Sequence, residues 1–288
     1  MRAAGKDRVR YSRFHAAIPQ MGWRSPGFVR SFQAKKGEAI MAMEAASTSA
    51  VLVIGNEVLS GRTQDANLGF LAARLADLGI PVIEARVVLD EEDRIVEAVN
   101  ALRARATYVF TTGGIGPTHD DITAVAIAKA FGVPVVRDPE AERRLRAHYG
   151  DGFVNAARLK MADVPEGATL VDNPVSTAPG FRIGNVFVLA GVPAIAQAMF
   201  DALAPGLTGG PPVVSRTVSC RIPEGDFAAD LTEVQARHAR VSIGSYPHFR
   251  AGKIGVSLVV RGVDPDAVDR AAEEVEAMVR RLGGEPLV

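Results

Sequence analysis

From Val51 onward, short runs of consecutive apolar residues alternate with stretches whose apolar positions recur every three or four residues. VLVIG (51–55) is a β-branched apolar run closed by glycine, the pattern of a strand buried on both faces. In DANLGFLAARLADLG (65–79), Leu68, Leu71, Leu75 and Leu78 form one stripe ended by Gly79, which predicts a helix. PVIEARVVL (81–89) predicts a second strand. EEDRIVEAVNALRARA (91–106) predicts a second helix, with Ile95, Val99 and Leu102 on one face. TYVFTT (107–112) is a third strand, and ITAVAIAKAF (122–131), stopped at Gly132, a third helix. Asp90 with Asp93 three positions later predicts a capping box opening the second helix. Strands alternating with helices imply βαβ units and a parallel sheet, hence an α/β fold. PEAERRLRAHYG (139–150), opened by Asp138 and Pro139, reads as a helix with a solvated charged face.

The pattern changes after PGLTGGPP (205–212), which reads as a linker. Beyond it come VVSRTVSC as a strand, DFAADLTEVQARHA as a helix, VSIGSYP and KIGVSLVVRG as strands, and DPDAVDRAAEEVEAMVRRLGG as a helix. This β-α-β-β-α order predicts a small α+β domain. No basic stripe with aromatics runs along it, so it is read as a packing or oligomerisation element and not an RNA binder. The expected division is a leader at 1–47, an α/β domain at 48–207 and the small domain at 208–288.

Charge sets the leader apart. Up to Lys36 it holds nine basic residues against Asp7 alone, with no sustained period. An organelle transit peptide is one reading. A disordered tail, or a misassigned start with the natural one at Met41 or Met43, is the leaner one. Over the whole chain Lys+Arg 33 balances Asp+Glu 33, so no basic field points to nucleic acid. Cys220 is the only cysteine, which excludes an intrachain disulfide and a cysteine zinc cluster and fits a reducing cytoplasm. No apolar run reaches the roughly 20 residues that span a membrane.

TTGGIGPTHDD (111–121) carries the candidate chemistry. It lies where a strand's carboxyl end passes into a helix, the edge at which open α/β sheets bind ligands. Gly113, Gly114 and Gly116 let backbone N–H groups approach a ligand closely, which suits phosphate. Carboxylates beside an anion site conflict unless a cation lies between, so Asp120 and Asp121 suggest Mg²⁺. A helix cap is the plainer role for one of them. Known phosphate loops fail on spacing. A Rossmann fingerprint needs glycine where His119 stands, and GNEVLSGRT (55–63) has five residues between glycines and Arg62 in place of the Walker lysine.

TTGGIGPTHDDIT resembles the signature of the molybdopterin-binding domain family, shared by MoaB, Mog, the gephyrin G domain and the N-terminal part of CinA, and found ahead of the synthetase part of eukaryotic FAD synthases. GNEVLSGRTQDAN, VVLDEEDRI and APGFRIGNVFVLAGVP (178–193) resemble segments of the CinA branch, and the region after the linker resembles its KH-like middle domain. The resemblance implies a three-layer, mostly parallel α/β fold. It places the family's two functional aspartates on Asp90 and Asp121. It assigns the ligand-binding loop to Thr112, Gly113, Gly114 and Gly116, with Thr123 in the D-x-T pattern. It gives Gly55, Glu57, Asp65 and Asn67 as the first loop. Asp90, Asp120 and Asp121 are the implied metal ligands, for Mg²⁺ or its relatives Co²⁺ and Mn²⁺. The branch carries an acid where this chain has Val125, and that loss weighs on catalysis more than on binding. The implied activity is metal-dependent hydrolysis of a pyrophosphate bond in a dinucleotide-like substrate, ADP-ribose or FAD. The alternative is a non-catalytic binder of molybdopterin or a related phosphorylated pterin, and adenylyl transfer to molybdopterin ranks below both. The partners expected are this small phosphorylated ligand and further copies of the chain, a homo-oligomer, with neither nucleic acid nor membrane.

Overall fold

The structure is a computed structural model that describes residues 47–150, 152–250 and 253–287. Residues 1–46, where the basic leader is expected, lie outside the described residues. The first part runs β1 (Ser49–Ile54), α1 (Asn56–Leu59), α2 (Asn67–Asp77), β2 (Val82–Val88), α3 (Glu92–Arg103), β3 (Tyr108–Thr112) and α4 (Thr123–Phe131). It continues through β4 (Val135–Arg137), α5 (Pro139–Tyr149), α6 (Ala156–Lys160), β5 (Asp163–Pro165), β6 (Thr169–Val171), β7 (Gly180–Ile183), β8 (Val186–Leu189) and α7 (Pro193–Leu203).

The main sheet has the order β2-β1-β3-β8-β7-β6. The β2-β1, β1-β3 and β3-β8 pairs are parallel, while β7 and β6 return antiparallel. All of β1 is buried because helices cover both sides of it. Its Ala50, Leu52 and Ile54 pack with Ile95, Val99 and Leu102 of α3 and with Ile127 of α4. Val51 and Val53 pack instead with Leu71 and Leu75 of α2 and with Met199 and Phe200 of α7. A strand between two helical layers has no solvent face, which is why VLVIG shows no alternation. The fold is therefore a three-layer α/β sandwich around a mostly parallel sheet.

The small domain runs β9 (Val214–Cys220), α8 (Glu224–Arg237), β10 (Ser242–Arg250), β11 (Lys253–Gly262) and α9 (Pro265–Arg281). Its antiparallel sheet has the order β10-β11-β9. Its core is its own, built from Phe227, Val234, Leu258, Val275 and Met278 among others between 218 and 279. The Asp264 carboxylate caps α9, accepting from the N–H groups of Asp266 and Ala267.

The predicted capping box at Asp90 does not form. The residue before α3 is Glu91, with no side-chain cap bond, and Asp93 pairs with Lys129 of α4 at 2.9 Å. Asp90 instead accepts from the Asn56 N–H at the start of α1, across the sheet edge. A short ribbon of β4 against β5 and the one-turn helix α1 are further elements that periodicity does not reveal.

Candidate functional site

The carboxyl ends of β2, β1, β3 and β8 open into one cleft of about 530 Å³. Each strand end delivers part of it: Asp90 after β2, Gly55 after β1, Gly113 after β3 and Gly191 after β8. Parallel neighbours all end on one side, so residues far apart in sequence meet there.

The glycine loop is shaped by contacts that a side chain would block. Gly113 has φ 105°, and a Cβ on it would lie 2.1 Å from the Ile54 carbonyl oxygen. Gly114 has φ 68°, and its Cβ would meet Thr123 Oγ1 at 2.2 Å. Thr123 is fully buried behind the loop. Its hydroxyl donates to the Gly113 carbonyl at 2.9 Å and its N–H to the Gly114 carbonyl at 3.0 Å. The structure thus gives Thr123 a scaffold position and does not bring it to the cleft. The Gly113 N–H is already bonded to the Leu189 carbonyl at 3.2 Å, so it is not a ligand donor. The N–H groups of Gly114, Ile115 and Gly116 make no backbone hydrogen bond among the described residues. Three consecutive N–H groups without a backbone partner at a strand end are the kind of donors from which anion nests are built.

Carboxylates line the same cleft. Asp121 does not cap α4, whose N-cap is Ile122 with no side-chain bond. Its Oδ2 accepts from the Thr118 N–H at 2.8 Å and from the Thr118 hydroxyl. The carboxylate lies against Gly116, where a Cβ would be 2.6 Å from Oδ2. Asp90 Oδ2 accepts from the Asn56 N–H at 2.8 Å. Burial pushes the Asp90 carboxyl above its ordinary range. The Asn56 N–H pulls it back, and repulsion from Glu57, Asp120 and Asp121 pushes it up again. Four acids therefore crowd one cleft, and no Lys or Arg lines it among the described residues. Lys160 sits outside it, donating to the Thr118 carbonyl. His119 projects into solvent, its side chain 98% exposed.

Of the residues singled out in the sequence, Gly55, Glu57, Asp90, Gly113, Gly114, Gly116, Asp120 and Asp121 share the cleft. Asp65, Asn67 and Thr112 line a smaller pocket of about 50 Å³ beside it, joined to it by Glu57. Val125 faces a third space of about 70 Å³, beyond Asp121 and next to Lys160 and Asp163. Sequence reasoning missed Asn56, Thr118 and Gly191. Asn56 stands in the quoted GNEVLSG loop, and Thr118 lies three before Asp121, the spacing at which an acid reaches back to the N–H of a Ser or Thr as in a capping box.

Among the described residues no group of three or more His, Cys, Asp or Glu converges tightly enough to hold a metal ion alone. The donor set nonetheless fits a hard divalent cation shared with a ligand. Mg²⁺ is commonly held by one or two carboxylates plus substrate phosphates, and the cleft lining supplies four carboxylates and no Lys or Arg, with Lys160 acting on Asp120 only from outside it.

The family model described as "Probable molybdopterin binding domain" matches residues 50–209. The chain belongs to this molybdopterin-binding domain family. The model described as "FAD synthase, middle domain" matches residues 212–282. A protein of Pyrobaculum aerophilum is 40% identical over 242 residues, covering 80% of this chain and 90% of its own. A "Probable FAD synthase" of Caenorhabditis elegans is 32% identical over 264 residues, 82% of this chain. The matched part spans 49% of that protein. Among solved structures, the protein CinA of Thermoplasma acidophilum, described as of unknown function, is similar with a TM-score of 0.54 and 34% identity. It covers 56% of this chain and 98% of its own. The molybdopterin-binding domain is thus of the CinA type. Among the described residues no helix is long and apolar enough to cross a membrane.

Proposed function

We propose that this molybdopterin-binding-domain protein is a divalent-metal-dependent hydrolase that cleaves the pyrophosphate bond of a dinucleotide-like substrate. FAD stands ahead of ADP-ribose because the second domain matches the FAD synthase middle-domain model. The observation that carries the reading is the meeting, in one cleft without Lys or Arg among the described residues, of three unspent loop N–H groups and four carboxylates. Phosphate oxygens take the N–H groups of Gly114, Ile115 and Gly116. Asp121, Asp90 and Asp120 are the residues that would hold Mg²⁺, Co²⁺ or Mn²⁺. Such a cation lowers the pKa of bound water and offsets charge developing on phosphate. Thr118 fixes Asp121 through Oδ2 and leaves Oδ1 for the ligand side. Asp90 spends Oδ2 on the Asn56 N–H, and Oδ1 is the atom it would offer the cation. The same proposal has the chain acting as a homo-oligomer in a reducing cytoplasm, with light scattering as the check on assembly.

A second reading, a non-catalytic binder of molybdopterin or a related phosphorylated pterin, is favoured by Val125, an exposed apolar residue where the resemblance calls for an acid. Adenylyl transfer ranks below both. Incubating the purified protein with Mg²⁺, Co²⁺ or Mn²⁺ and FAD, ADP-ribose, NAD or ATP, and separating the products, tests the choice. Release of mononucleotides from FAD or ADP-ribose is expected. No release from any of them, with tight binding of a phosphorylated pterin, moves the conclusion to the second reading.

A further inference from the structure

β2 is the outer strand of the main sheet, and no strand lies against its free edge among the described residues. Its residues alternate between half-buried and exposed, and the exposed ones are apolar: Ile83, Ala85 and Val87, followed by Leu89. Ala85 and Val87 stand in register with Val51 and Val53 of β1. The helices that bury those two valines leave Ile83, Val87 and Leu89 41%, 38% and 36% exposed. The backbone of this edge is open as well. The Val88 carbonyl accepts from the Gly55 N–H at 3.1 Å, toward β1. Backbone polar groups alternate sides along a strand, so Ala85 and Val87 present theirs outward. An apolar edge with unpaired backbone groups is a template for another strand.

The order of residues along the edge says which strand. Ile83-Glu84-Ala85-Arg86-Val87 is self-complementary when a copy of it runs antiparallel about Ala85. Ala85 then faces its own copy and exchanges N–H and C=O groups with it, Ile83 faces Val87, and Glu84 faces Arg86 on both sides of the axis. Glu84 and Arg86 fall at the non-hydrogen-bonded positions, where side chains of opposite strands come closest. Arg86 spends Nε on its own Glu84 at 2.9 Å, and its Nη groups have no partner among the described residues. Moving the axis to Glu84 or to Arg86 sets like charges opposite each other, which destabilises a strand pair. We infer that β2 is the seat of a two-fold, isologous contact with a second copy of this chain, joining the two main sheets into one continuous sheet. The inference rests on the homo-oligomer reading above and names its surface. The β1 register skips Ile83, so the bulge falls at the margin of the contact, away from its axis. Antiparallel β2 strands carry their Asp90 residues to opposite ends, so each cleft stays within one subunit.

Light scattering of the full chain should give an even number of subunits, and Val87→Glu should halve it. That variant puts a carboxylate into the shared apolar band on both sides of the axis and should raise the dissociation constant at least about tenfold. Ala85→Cys tests the register itself and is a small change at an exposed position. Facing residues of a hydrogen-bonded strand pair have Cα atoms about 5.5 Å apart, within disulfide reach. Mild oxidation with diamide should therefore link Ala85→Cys into a covalent dimer. Val87→Cys, which faces Ile83 and not its own copy, should link far less. The natural cysteine, Cys220, is buried and does not compete. Crosslinking of Val87→Cys in preference to Ala85→Cys, or a folded Val87→Glu with the parent's subunit number, overturns this interface while the chain remains an oligomer. A parent that is monomeric at every concentration overturns it together with the homo-oligomer reading.

Discussion

Asp90 and Asn56 hold each other across two strand ends. Asp90 Oδ2 accepts from the Asn56 N–H at 2.8 Å, and Asn56 Oδ1 accepts from the Asp90 N–H at 3.3 Å. The pair ties the loop after β2 to the first turn of α1 and keeps the Asp90 carboxylate where Glu57, Asp120 and Asp121 repel it. Because the folded state raises the Asp90 pKa, folding favours its protonated form. Its contribution to stability is present at low pH and is lost as pH rises through the raised pKa. Asp90→Asn keeps an oxygen for Asn56 and removes the charge. The melting temperature of the variant minus that of the parent should therefore grow as pH rises from about 3 to 7, across the carboxylate range. Saturating Mg²⁺ should raise the parent's melting temperature and leave the variant's nearly unmoved. A difference that does not change with pH would show that neither burial nor the neighbouring acids raise the Asp90 pKa.

Asp121→Asn tests the other flank. Asparagine keeps an acceptor for Thr118, so folding should suffer little. Metal affinity and any metal-dependent turnover should fall at least about tenfold, roughly 1.4 kcal/mol. Asp120→Asn should do less. Calorimetry with Mg²⁺ and ADP-ribose compares the two, and equal affinities for Asp121→Asn and the parent would remove the metal role.

Gly113→Ala probes the loop's backbone. At φ 105° and with Ile54 O at 2.1 Å from the added Cβ, either the loop or β1 must shift. A loss of about 1–3 kcal/mol is expected, with weaker phosphate binding. Chemical denaturation measures it. A variant as stable as the parent would mean that the loop has a second conformation that accepts a side chain.

Val125→Glu asks whether a missing acid silences the site. Val125 is 44% exposed near the start of α4, where a negative charge is tolerated. It faces the space shared with Asp121 and Lys160. Turnover should rise without loss of folding. A folded variant as slow as its parent toward FAD, ADP-ribose, NAD and ATP counts against an acid at this position acting in the reaction.

The sequence by itself determined the elements with a long enough repeat or a strong enough stop. The four-leucine stripe ending at Gly79 is a helix because each turn buries a side chain against β1, and VLVIG is a strand because both of its faces are covered. The order β-α-β-β-α after the linker, and the glycines that bend the loop after β3, are equally local properties. Tertiary structure alone decided which polar residues meet. Asp90 leaves its own helix for Asn56, Thr123 turns behind the loop, and Asp65, Asn67 and Thr112 gather in a separate pocket. β4 and β5 are three residues each, too short to show a period. Side-chain spacing along a chain encodes local periodicity. The neighbours of a strand end are set instead by the pairing order β2-β1-β3-β8, which depends on packing between segments dozens of residues apart.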